Sequence, residues 1–180
     1  MRTWIALFRG INVMGSNRLP MRDLASLLQR AGLADVRTYI QSGNAVFRSA
    51  TGSAKSLAKR IGRTVHEETG FEPKIMILNA TQLESAAINN PFPEAASQPQ
   101  TLHLFFLSEV PLRADLASLN RLRSGNEAFA LREKVLYLHT PDGFAISKLA
   151  KSAERHIHVD ATARNWNTVT RLLEMAKLAN

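Results

Sequence analysis

Arg, Asn and Gly gather in three short segments set between apolar stretches: Arg9-Gly10-Ile11-Asn12-Val13-Met14-Gly15-Ser16-Asn17, Gln41-Ser42-Gly43-Asn44 and Arg164-Asn165-Trp166-Asn167-Thr168. Guanidinium and amide groups donate hydrogen bonds, and Gly and Asn tolerate left-handed backbone, so such residues build polar sites rather than fill cores. The chemistry on offer is recognition of an anion or polar ligand. Arg9, Asn12, Asn17, Gln41, Asn44, Arg164, Asn165, Trp166 and Asn167 are the candidate ligand-binding residues. No nucleophile with its base, no defensible carboxylate pair and no complete cofactor motif accompanies them. No catalytic residue is therefore assigned, and no cofactor is expected.

Gly10 and Gly15 have the Gly-x-x-x-x-Gly spacing of a phosphate loop. Ser16 and Asn17 stand where such a loop needs Lys and Ser/Thr, so a triphosphate–magnesium loop is excluded on chemistry. What remains is a tight turn or a loop whose N–H groups cradle an anion. Gln41 to Asn44 reads as a hairpin turn, which accounts for Gly43 and Asn44 and leaves Gln41 and Ser42 for other duty. Arg164 to Thr168 reads as a helix start, capped by Thr162 or Asn165, with more polar groups than a cap requires. Its Trp either stacks on a base or anchors the helix. His156, His158 and Asp160 would share one face of a strand, yet alternating polar histidines are more often exposed or hydrogen-bonded, and no metal site is assigned. Tyr39 and Phe47 suggest a base-stacking platform only faintly, because the accompanying Lys/Arg-Gly-aromatic run is missing.

Composition narrows the partners. The chain has 180 residues, 45% of them hydrophobic, enough for one large domain or two small ones. No apolar run approaches the roughly 20 residues of a membrane span, and Trp4 to Phe8 is too short for a signal-peptide core. With no cysteine, disulfides and thiolate chemistry are excluded. A cytoplasmic protein with no membrane association is expected. The net charge of +8 is uneven: residues 1–80 carry 12 Lys+Arg against five Asp+Glu, and residues 81–180 carry 11 against 10. A basic half attracts anions, and Arg, which alone supplies the cations of the first 40 residues, suits phosphate and carboxylate.

The elements that must position these residues follow a β-α-β-β-α-β order. Trp4 to Phe8 is a strand. Met21, Leu24, Leu27, Leu28 and Ala31 have helical spacing between Pro20 and Gly32. Val36 to Ile40 and Ala45 to Arg48 form a hairpin, Ala54, Leu57, Ile61 and Val65 a second helix, and Lys74 to Leu78 the closing strand. The second half repeats the order. Its members are strand Leu102 to Leu107, a helix with Leu112, Leu116, Leu119 and Leu122 on one face, hairpin Ala128 to Leu131 with Val135 to His139, helix Ala145 to Ala153 and strand His156 to Asp160. An amphipathic helix from about Asn165 ends the chain. The expected class is α+β: two tandem ferredoxin-like subdomains at 1–80 and 101–161, a linker with a short helix at 81–100, and a C-terminal helix at 162–180 packing across both. A split unit of this kind leaves one sheet face for a partner sheet or a ligand.

Arg-Gly-Ile-Asn-Val at 9–13, Thr-Tyr-Ile-Gln-Ser-Gly-Asn at 38–44, Ser-Lys-Leu at 147–149 and Arg-Asn-Trp-Asn-Thr-Val at 164–169 resemble the bacterial family catalogued as domain of unknown function 1697. The resemblance covers essentially the whole chain. It implies two ferredoxin-like subdomains and no particular reaction. Arg9, Asn12, Asn17, Gln41, Asn44, Arg164 and Asn167 match its pattern. Met14-Gly15-Ser16-Asn17 departs from the family's Gly-Gly-Lys-Asn, which reshapes the loop at 14 and removes its lysine unless Arg18 substitutes.

Three functions compete. The favoured one is a binding module for an anionic ligand, a nucleic acid or a phosphate-containing small molecule such as a nucleotide, which predicts salt-sensitive binding. The second is an enzyme on a small phosphorylated or carboxylated substrate, which needs a proton donor or acceptor the sequence does not name. The third is a structural or protein-interaction domain, for which Arg164→Ala would chiefly lower stability.

Overall fold

A computed structural model describes residues 1–13 and 15–179. The chain divides into two compact units, Met1–Ser85 with Arg171–Asn180, and Ala86–Thr170. Each holds a four-stranded antiparallel sheet, and among the described residues there are six α-helices. The fold is mixed α+β.

In the first unit the order is β1 (Arg2–Arg9), α1 (Met21–Arg30), β2 (Ala34–Tyr39), β3 (Asn44–Ser49), α2 (Ala54–Thr69) and β4 (Lys74–Asn79), and the strands lie β2-β3-β1-β4. β1 is central, pairing with β3 from Arg2 opposite Ser49 and with β4 up to Arg9 opposite Lys74. Alternation sends Trp4, Ala6 and Phe8 to one face, where they meet Leu24, Leu27 and Leu28 of α1 and Leu57, Ile61 and Val65 of α2. Each of these leucines stabilises the unit by about 2–5 kcal/mol relative to alanine. Ser53 caps α2 by accepting from Ser56 N, and Gly70 ends it with φ 76°.

The second unit runs through β5 (Leu102–Leu107), α4 (Leu116–Leu122), β6 (Ala128–Arg132), β7 (Val135–His139), α5 (Lys148–Ile157) and β8 (Ala161–Asn165), with strand order β6-β7-β5-β8. Its core joins Phe105, Leu107, Leu136 and Leu138 to Leu119, Leu149, Ala153 and Ile157. In chain order, α3 (Ala80–Ile88) and a 3-10 turn at Pro93–Ser97 come between β4 and β5, and the last helix is α6 (Trp166–Lys177).

Several expectations need correction. The helix after Pro111 begins only at Leu116, where Asp115 caps it, so Leu112 lies outside it and is 92% exposed. The next helix starts at Lys148 rather than at Ala145, because Ser147 accepts from Ala150 N and sets its first turn. No strand spans His156 to Asp160. His156 is in the last turn of α5, His158 ends that helix in a left-handed conformation (φ 56°), and the strand follows at Ala161. The supposed shared ligand face therefore does not exist, and among the described residues no group of three or more His, Asp or Glu could hold a metal. In the central strands, Trp4 to Phe8 are all buried, as are Leu104 to Leu107. Such continuous apolar runs are the signature of strands covered on both sides. Phe47 is fully buried in the first core, which removes it from any stacking platform.

Candidate functional site

The first two polar segments meet in the first unit. After β1 the chain takes left-handed conformations at Gly10 (φ 79°), Asn12 (φ 55°), Gly15 (φ 79°) and Asn17 (φ 49°), which folds the loop back on itself. Asn12 N donates to Asn17 O at 3.1 Å, and Ser16 N to Val13 O at 2.9 Å. The reshaping expected at Met14 lies outside the described residues. The Asn12 amide is the hub: its Nδ2 donates to Leu19 O at 2.8 Å and to Gln41 O at 2.9 Å, while its Oδ1 accepts from Leu19 N at 2.8 Å. Asn17 Nδ2 donates to Gly10 O at 2.8 Å. One amide thus ties the loop, the entry to α1 and the β2–β3 hairpin together.

Gly43 closes the contact from the hairpin side. Its carbonyl accepts from Phe8 N at 2.8 Å, and its φ is 78°. A Cβ there would lie 2.6 Å from Ile11 Cδ1 and 2.7 Å from Phe8 Cβ, so no side chain fits between hairpin and β1. Asn44 is fully buried, donating through Nδ2 to Tyr39 O and to Ser42 Oγ, both at 3.1 Å. Gln41 and Asn17 stay exposed, whereas Arg9 is half-buried.

The third segment belongs to the second unit and is only partly a helix start. Arg164 is a β8 residue opposite Leu104 and is 8% exposed. Its Nη1 donates to Ala163 O at 2.8 Å and Thr162 Oγ1 at 3.1 Å, and burial pulls the guanidinium pKa down to about 10. Asn165, not Thr162, caps α6, accepting through Oδ1 from Thr168 N at 3.0 Å and Thr168 Oγ1 at 2.9 Å. Trp166 opens the helix half-buried, its N donating to Pro99 O at 3.3 Å, and Asn167 is exposed.

A groove that sequence reading missed lies between α2 and β4 in the first unit. It measures about 420 Å³ and is lined by Lys55, Ala58, Lys59, Glu72, Pro73, Lys74 and Ile75. Lys74 is the register partner of Arg9, so a candidate residue of the first segment adjoins this groove across one strand pair. Surface lysines carry no motif. The one signal available was the i, i+4 spacing of Lys55 and Lys59 on the polar side of a helix.

The model of a family described as protein of unknown function (DUF1697) matches residues 1–137. The chain belongs to this family. The DUF1697 match covers both elements of the first polar cluster and the whole groove, and stops before Arg164. Among solved structures, the chain is similar to the conserved bacterial protein SP0830 from Streptococcus pneumoniae, with a TM-score of 0.74 at 22% identity, covering 97% of this chain and 98% of that one. That likeness is one of fold. Among curated proteins none matches. No described helix is long and apolar enough to cross a membrane.

Proposed function

We propose that this DUF1697 member is a binding module for a phosphate-bearing anion, a nucleic acid or a nucleotide, and that the first unit does the binding. One observation carries the reading: residues 1–80 hold 12 Lys+Arg against five Asp+Glu, and three of those acids already serve Arg partners. Arg30 pairs with Glu68 at 2.6 Å, Arg48 with Asp35 at 3.5 Å and Arg63 with Glu67 at 3.7 Å. The surplus of positive charge gives this unit a field that draws polyanions and speeds encounter. The amides of Asn12, Asn17 and Asn44 act in this reading as the frame that holds the loop and hairpin, while Arg9 and Gln41 face the ligand. Arg164 to Asn167 form a second polar cluster in the other unit. The cytoplasm is the proposed setting.

The strand orders support a tandem of ferredoxin-like subdomains, with the segment 81–100 joining them and 162–180 as the closing element.

The test is a salt titration of binding. A labelled single-stranded oligonucleotide is followed by fluorescence anisotropy between about 50 and about 200 mM salt. The logarithm of the affinity should fall linearly with that of salt, by about 0.7 per phosphate contacted. Undetectable binding of oligonucleotides and nucleotides at the lowest salt would defeat the proposal.

A further inference from the structure

We infer that the groove between α2 and β4 binds a nucleoside phosphate, with Lys55 and Lys59 holding the phosphate and Glu72 accepting from a ribose hydroxyl. This rests on the anion-binding reading above and gives it an address and a ligand class.

The lysines come first. Lys55 and Lys59 sit one turn apart on the exposed side of α2, close enough for both ammonium groups to reach one phosphate. Among the described residues neither has an ion-pair partner, in a unit where Asp35, Glu67 and Glu68 all pair with arginines. Lys74 adds a third cation from β4. Ammonium groups suit a phosphate as point charges that need no fixed fork geometry.

The shape comes second. A volume of about 420 Å³ falls in the range of small-ligand sites, about 300–1,000 Å³. Ala58, Pro73 and Ile75 line the groove between the charged residues.

Glu72 decides between phosphate alone and a nucleoside phosphate. It lies against the buried Gly62 of α2, where a Cβ would stand 3.0 Å from its Oε1, so the missing side chain makes its room. An ionised carboxylate only accepts hydrogen bonds. In a groove built for bare phosphate it would repel the ligand, whereas a ligand carrying hydroxyl donors turns it into a contact.

The experiment measures affinity by calorimetry for three probes, AMP, a single-stranded RNA 10-mer and inorganic phosphate, with thermal melts to check folding. Lys55→Gln with Lys59→Gln should weaken AMP and RNA binding roughly tenfold or more at low salt and flatten the RNA salt dependence by about 1.4. Lys148→Gln with Lys151→Gln, on exposed positions of α5, should leave both within about twofold. Glu72→Ala should strengthen inorganic phosphate and weaken AMP; strengthening of both would remove Glu72 from the ligand. AMP binding as tight as RNA would identify the free nucleotide as the source, and RNA binding alone would identify a strand. Equal loss in the two lysine pairs would overturn the groove and leave anion binding standing. No binding by the unmodified protein would overturn both.

Discussion

Gly43 shows how one residue without a side chain fixes the polar cluster. Its Cβ position is occupied by Ile11 and Phe8, and its φ of 78° strains any L side chain. Gly43→Ala should therefore cost about 2–4 kcal/mol of unfolding free energy, summing overpacking and left-handed strain, as read from urea denaturation. A loss under about 0.5 kcal/mol would mean that the hairpin yields freely. His103 offers a pH handle in the other unit. It stacks on Phe144 with ring centroids 3.8 Å apart, its Nδ1 is buried without a hydrogen-bond partner, and burial lowers its pKa to about 4. The folded pKa lies below the unfolded value of 6.5, so the unfolded chain binds the extra proton between these values. Stability from this group is thus complete above about pH 6.5 and is lost as pH falls towards 4, with a slope of at most about 1.4 kcal/mol per pH unit. His103→Phe, which keeps the ring stack, should flatten that slope; an unchanged slope would clear His103 of the effect. At this scale Gly43 and Asn12 were legible as turn formers, because Gly and Asn announce left-handed backbone. That the Asn12 amide would reach Gln41 was not, since the partner lies 29 positions away.

Among the elements, legibility followed amphipathic spacing. α1 and α2 came through cleanly, because Leu24, Leu27 and Leu28, and likewise Leu57, Ile61 and Val65, mark a single buried stripe. The helix after Pro111 did not, because Leu112 has the right spacing yet precedes the cap at Asp115. His156 to Asp160 misled for a related reason: alternation is a strand signal, but a left-handed His158 placed it at a helix end. Arg164 was assigned to a helix start and stands instead in β8, since the cap at Asn165 lies one residue later. That cap yields a prediction. Asn165→Ala removes the acceptor for Thr168 N and Thr168 Oγ1 and should lower stability by about 1 kcal/mol, measured by thermal or urea unfolding. Asn165→Asp should retain it, and equal losses in the two variants would argue against the cap.

Over the whole molecule, charge divides between a basic first stretch, residues 1–80, and a nearly neutral remainder, and this was readable from charge counts alone. The groove was not readable, because its lining comes from α2, from Glu72 and Pro73 and from the start of β4, which meet only when α2 folds back along β4. The central claim is that the first unit binds a phosphate-bearing ligand. Backbone amide shifts followed by NMR during titration of the full chain with a single-stranded oligonucleotide at low salt test it most directly. Shifts concentrated in the first unit, at Arg9, Gln41 and residues 54–63 and 72–76, are the result the account predicts. Shifts confined to Ala86–Thr170, or none at all, would contradict it.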